Sequence, residues 1–88
     1  MYDALRNSLP SFTQRQIEVI ELIAAGCSND EVGERLGISP RTAKAHADVL
    51  RQKLGVTRRR HIPVAYRALT GHDPLAKSLK SAAADNGG

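Results

Sequence analysis

Apolar positions recur along this chain with the period of an amphipathic helix, in three runs separated by glycines. The first run holds Ile17, Ile20 and Ile23 or Ala24, flanked by Val19 and Leu22, a stripe broad enough to face a core. Thr13 stands before it and Gln16 three residues later, so each side chain can satisfy a free backbone N–H of the other. Phe12 and Ile17 are spaced as a hydrophobic staple, and Gly26 ends the helix. "CSNDEVGERLG" repeats the device, with Ser28 as cap, Glu31 closing the box, and Cys27 and Val32 as the staple pair. Val32 and Leu36 are its expected buried positions, and Asp30, Glu31 and Glu34 lie toward the end where the helix dipole favours acids. Gly37 is suited to the left-handed turn that follows. After Ile38, Ser39 caps a third helix and Pro40 takes its first position, where a missing N–H costs nothing. Ala43, Ala47, Leu50 and Leu54 make its inward stripe, and Gly55 ends it.

The fourth element is less regular. Thr57 can cap a helix, but Pro63 would then fall inside it and break the hydrogen bond to residue 59. The pattern therefore predicts an irregular first turn over "TRRRH" and regular helix from about Ile62 to Leu69, with Ile62, Tyr66 and Leu69 inward and Gly71 at the end. "HDPLAKSLK" can form one last short helix capped by Asp73, ahead of a disordered "SAAADNGG" tail. In "MYDALRNSLPSF", Tyr2, Leu5 and Leu9 can line a short turn that Pro10 ends. The expected organisation is an extension or linker over 1–12, a folded unit over 13–70, and a short helix with a tail over 71–88.

Composition narrows the class. The chain has 88 residues, enough for one small core, and its apolar residues are mainly Leu, Ile, Val and Ala, with one Phe, two Tyr and no Trp. That favours packed helices over a sheet. A lone cysteine, Cys27, allows no internal disulfide and fits a reducing compartment. No apolar run approaches the ~20 residues that span a bilayer. A cytoplasmic protein without membrane contact is the expectation. His46, His61 and His72 lack metal-ligand spacing, and no phosphate-cradling loop, nucleophile–base pair or carboxylate dyad stands out. No enzyme, cofactor or metal is expected.

Net charge is +4, unevenly spread. Residues 13–35 carry five acids against two arginines, a balance of −3, and residues 36–67 carry eight bases against Asp48 alone, a balance of +7. Such asymmetry suits an oriented polyanion surface. A short helix, a three-residue turn (Gly37, Ile38, Ser39) and a longer basic helix make a helix-turn-helix, whose second helix enters the major groove. With 43, 47, 50 and 54 inward, the opposite face is Arg41, Lys44, Ala45, Asp48 and Gln52, with Arg51 at the flank. Lys44 can donate to guanine, Ala45 can touch a thymine methyl, and Asp48 can accept from a cytosine amine. Asp48 can equally be neutralised by Lys44 or Arg51, and the sequence leaves both readings open. Arg58, Arg59 and Arg60 are candidate phosphate contacts, since arginine forks suit phosphate. We also place Ser28 and Asn29 among the phosphate candidates.

The stretch "FTQRQIEVIELIAAGCSNDEVGERLGISPRTAKAHADVLRQKLGV", residues 12–56, resembles the LuxR/NarL-type (GerE) helix-turn-helix domain. The "GCSNDEV", "ERLGIS", "RTAKAH" and "KLGV" segments fall in the family's order. The resemblance implies an all-α, four-helix bundle-like DNA-binding domain of a bacterial regulator, such as a response regulator, that dimerises through its fourth helix on paired half-sites. Carried over by position, Lys44, Ala45 and Asp48 face the groove, while Thr42, His46 and Lys53 are backbone-contacting or packing positions; from the helix face itself, Arg41 joins the base candidates and Arg51 the phosphate candidates. Val64, Arg67 and Ala68 are the implied dimer contacts. Gly33 stands where the family usually has Ala, which costs the second helix about 0.5–1 kcal/mol. Asp48 replaces a polar or basic residue, and Arg51 an apolar one, so its stem must lie along the core with its head in water. A regulator reading DNA is therefore the first hypothesis. The second is a protein-docking module, for example on RNA polymerase, which an apolar or acidic outer stripe would have favoured. No receiver or ligand-binding segment precedes the motif, so the chain is either a stand-alone regulator or a fragment.

Overall fold

A computed structural model of the chain describes residues 11–75. Four α-helices follow one another: α1 (Gln14–Ala24), α2 (Asn29–Leu36), α3 (Pro40–Leu54) and α4 (Ile62–Thr70), with a single 3-10 turn, Arg59–His61, leading into the last. There is no strand among the described residues. The fold is the all-α, four-helix one expected, and the "TRRRH" segment is irregular because α4 begins beside Pro63 rather than before it. No side chain caps the 3-10 turn, so Thr57 does not serve as the cap considered for it. The tail and most of the proposed last helix lie outside the described residues; within them, Asp73 Oδ1 accepts from Leu75 N–H at 2.9 Å.

The helix starts are set by local chemistry. Thr13 and Gln16 form a reciprocal box, as do Ser28 and Glu31, and Ser39 accepts from Thr42 N–H at 3.0 Å with Pro40 in the first turn. The Ser28 backbone N–H and then its side chain hold the Glu31 carboxyl below its ordinary value of 4.5. Because the folded value is lowered, this stabilisation is present above the ordinary value and fades as pH falls through the folded one. Glu31→Gln keeps the capping reach without the ionisable group. Its melting temperature is expected to fall less than that of the wild type between about pH 5 and pH 3, as followed by circular dichroism. Equal falls would detach Glu31 from the acid response.

The core is one cluster: Val19, Ile20 and Ile23 of α1, Cys27, Val32 of α2, Ala43, Ala47 and Leu50 of α3, and Ile62 and Tyr66 of α4. Val19 belongs inside this cluster rather than on its flank, and Leu36 only packs against it. Leu69, expected inward, is 45% exposed. Leu69 instead lines an open groove with Leu54 and Gly55 at the end of α3 and Ala65 and Ala68 of α4, where small residues leave it uncovered.

Gly33 corrects a second expectation. It is buried where α2 meets the turn into α3, and a Cβ built on it would lie 2.5 Å from the Ile38 carbonyl oxygen and 3.2 Å from Pro40 N. The Gly33 carbonyl also accepts from Ile38 N–H at 2.9 Å. Its propensity cost is thus offset by a close approach of backbone to backbone that a side chain would block. Gly37 takes φ 69°, the left-handed conformation that turns the chain from α2 toward α3.

Candidate nucleic-acid interface

α3 is amphipathic, and its orientation is fixed by burial of Ala43, Ala47 and Leu50. The face opposite them is open: Arg41, Thr42, Lys44, Ala45 and Gln52 are exposed and Asp48 is half-buried. Val49, one turn beyond Ala45, is 44% exposed. Sequence reasoning missed it, although its spacing from Ala45 is the signal. The outer face therefore has two edges. One is polar, with Lys44, Asp48 and Arg51 in a row, and the other is smooth, with Ala45 and Val49.

Along the polar edge, both acid-neutralising options that the sequence left open are realised. Arg51 Nη2 donates to Asp48 Oδ1 at 2.5 Å, and Lys44 Nζ lies 3.7 Å from Asp48 Oδ2. The hydrogen bond from Arg51, with Lys44 adding its charge, holds the Asp48 carboxyl below the usual aspartate range. Arg51 Nη1 also donates to the Thr57 carbonyl at 3.0 Å. Its guanidinium, expected free in water, is therefore engaged by two partners within the protein.

The remaining phosphate candidates divide in the same way. Ser28 is exposed at the start of α2, and Asn29 beside it is half-buried with Oδ1 shut off from solvent. Thr42 accepts from the Ser39 hydroxyl, and His46 is half-buried on the side of α3. Lys53 turns away from the outer face. Its ammonium donates to the Ser11 carbonyl and to Gln16 Oε1, and it sits 5.3 Å above the Phe12 ring. The cause is spacing: one turn beyond Val49, the helix has reached the segment that leads into α1, where the Ser11 carbonyl, the Gln16 side chain and the Phe12 ring face meet the ammonium. Within the arginine run, Arg58 and Arg60 are exposed, whereas Arg59 is half-buried with Nε and Nη2 closed off from solvent. On α4, Val64 is 69% exposed, and Arg67 and Ala68 are exposed beside it. Among the described residues no helix is long and apolar enough to cross a membrane.

A short helix packed on a longer one through a three-residue turn, with the first helix against both and the fourth against the longer one, defines a helix-turn-helix domain. The family described as "Bacterial regulatory proteins, luxR family" (GerE) matches residues 10–65, and the chain belongs to it. The transcriptional regulatory protein MctR of Rhizobium johnstonii is 47% identical over 45 residues, 51% of this chain and 21% of its own. LiaR of Bacillus subtilis, also called a transcriptional regulatory protein, is 44% identical over 55 residues, 60% of this chain and 26% of its own. The HTH-type transcriptional regulator MalT of Yersinia pestis is 45% identical over 47 residues, 53% of this chain and 5% of its own. The chain thus matches about a quarter or less of the length of these relatives. No solved structure shows a significant match.

Proposed function

We propose that the 13–70 unit is a sequence-specific DNA-binding domain of a cytoplasmic transcription regulator, with α3 in the major groove. The observation that carries this reading is the outer face of α3. It is held clear of the core by Ala43, Ala47 and Leu50, and it presents Arg41 and Lys44 as donors, Asp48 as an acceptor, and Ala45 and Val49 as smooth contacts for thymine methyls. Ser28, Asn29, Thr42 and His46, with Arg58 and Arg60, are the candidates for phosphate contact. The names of the relatives, all transcriptional regulators, agree with it. A second copy docks through α4: Val64, with Arg67 and Ala68 beside it, is the most exposed large apolar side chain among the described residues. Two copies then read paired half-sites.

The test is fluorescence anisotropy with a random-sequence duplex titrated across salt. Affinity should fall steeply, with a log–log slope of about −0.9 for each phosphate neutralised. No binding even at low salt would favour docking on a protein such as RNA polymerase. Replacing both Arg58 and Arg60 by Ala is expected to weaken binding to every duplex alike and flatten the slope by about 1.8. An unchanged slope would return the 58–60 run to solvent.

A further inference from the structure

Asp48 and Arg51, on successive turns of α3, are bonded to each other. Arg51 lies three residues beyond Asp48, on the next turn of α3, and one nitrogen of its fork, Nη2, holds Asp48 Oδ1. The other, Nη1, holds the Thr57 carbonyl, in the loop that leads to Arg58 and Arg60. A planar guanidinium presents its donors in a fixed fork, so its two ends hold both acceptors at once in one set geometry. Lys44 completes the chain from the far side of the carboxylate, 3.7 Å from Oδ2.

A bare carboxylate in the groove would be repelled by the phosphates. Here Asp48 carries a cation on each side, at side-chain exposures of 35% for Arg51 and 69% for Lys44. A carboxylate offers about four acceptor directions, so Asp48 keeps room for an exocyclic amine after both are engaged. We propose that Arg51 is a positioning residue for base reading: it fixes Asp48, and through it Lys44, on the outer face of α3, and it ties that face to the arginine loop without itself touching DNA. This inference rests on the DNA-reading function proposed above. An acid on the reading face is tolerated because the neutralising arginine is built into the same helix.

The experiment starts with the full chain selecting its preferred duplex from a random-sequence pool, and then compares that duplex with a scrambled one. Arg51→Met keeps the stem and removes the fork. It should lower the selected-to-scrambled affinity ratio by roughly 5- to 20-fold, add nothing to the loss caused by Asp48→Asn, and leave the salt slope unchanged. The Asp48 carboxyl, followed by carbon NMR, should move back toward its ordinary titration in Arg51→Met without DNA present. Circular dichroism checks folding. If the Met variant does not fold, Arg51→Lys serves instead, with the same loss of ratio expected. A slope flattened by about 0.9 would make Arg51 a phosphate contact and overturn the proposal. So would an unchanged ratio, independent losses at the two sites, or an unmoved Asp48 titration. A wild-type chain that binds no duplex overturns the DNA-reading function itself, and that result appears before any variant is made.

Discussion

Gly33→Ala should destabilise the domain, against the usual ordering of helix formers. In an exposed helix the change from Gly to Ala gains about 0.5–1 kcal/mol. Here the added Cβ would meet the Ile38 carbonyl oxygen at 2.5 Å, with Pro40 N and the Ser39 carbonyl carbon both at 3.2 Å. All three are backbone atoms and cannot swing away as a side-chain end would. Forcing a methyl into a packed site costs about 1–3 kcal/mol, which exceeds the propensity gain. A net loss of about 1–2 kcal/mol, or roughly 4–15 °C in melting temperature for a domain of this size, is the expected outcome of thermal and urea melts. A higher melting temperature would show that the turn at 38–40 can stand off from α2.

Lys44→Ala is expected to cost about 1–3 kcal/mol of discrimination between the selected duplex and a random one. Lys44 is the most projecting donor of the polar edge, with a side chain 69% exposed and tethered only at 3.7 Å to Asp48. That geometry leaves its ammonium free to reach a guanine while Asp48 limits its wandering. Competition binding with the two duplexes measures the effect. If affinity drops equally for both, Lys44 is a phosphate contact and base selection lies elsewhere on α3.

What could be read from the sequence was what neighbouring residues decide. Two capping boxes, Pro40 in the first turn and Gly37 after α2 depend on residues within four positions, and they fixed the helices to within about a residue. Proline chemistry likewise announced the broken start of α4. The misses involve groups far apart in the chain or backbone spacing that no side-chain pattern records. Lys53 bonds Gln16, 37 positions away, so a cation expected at the phosphates turns inward. Leu69 has the right period for burial but faces an open groove between the end of α3 and α4. The space at Gly33 is set by a turn that doubles back on the helix. Asp48 lies between these cases: its partners were nameable from steps of three and four, but only geometry shows that one arginine serves both it and the Thr57 carbonyl.

Phe12 gives the domain a boundary that its helix signals do not. The ring stands edge-on to Tyr66 of α4, with centroids 5.1 Å apart, and its face carries Lys53 from the end of α3. Such aromatic and cation–ring contacts each contribute about 0.5–1.5 kcal/mol. A fragment trimmed to begin at the Thr13 cap would keep every helix and lose this three-way junction, along with the Ser11 carbonyl that receives Lys53. The smallest self-sufficient piece therefore begins ahead of its first helix, and the two residues it would be easiest to discard are the ones that fasten its opposite ends together.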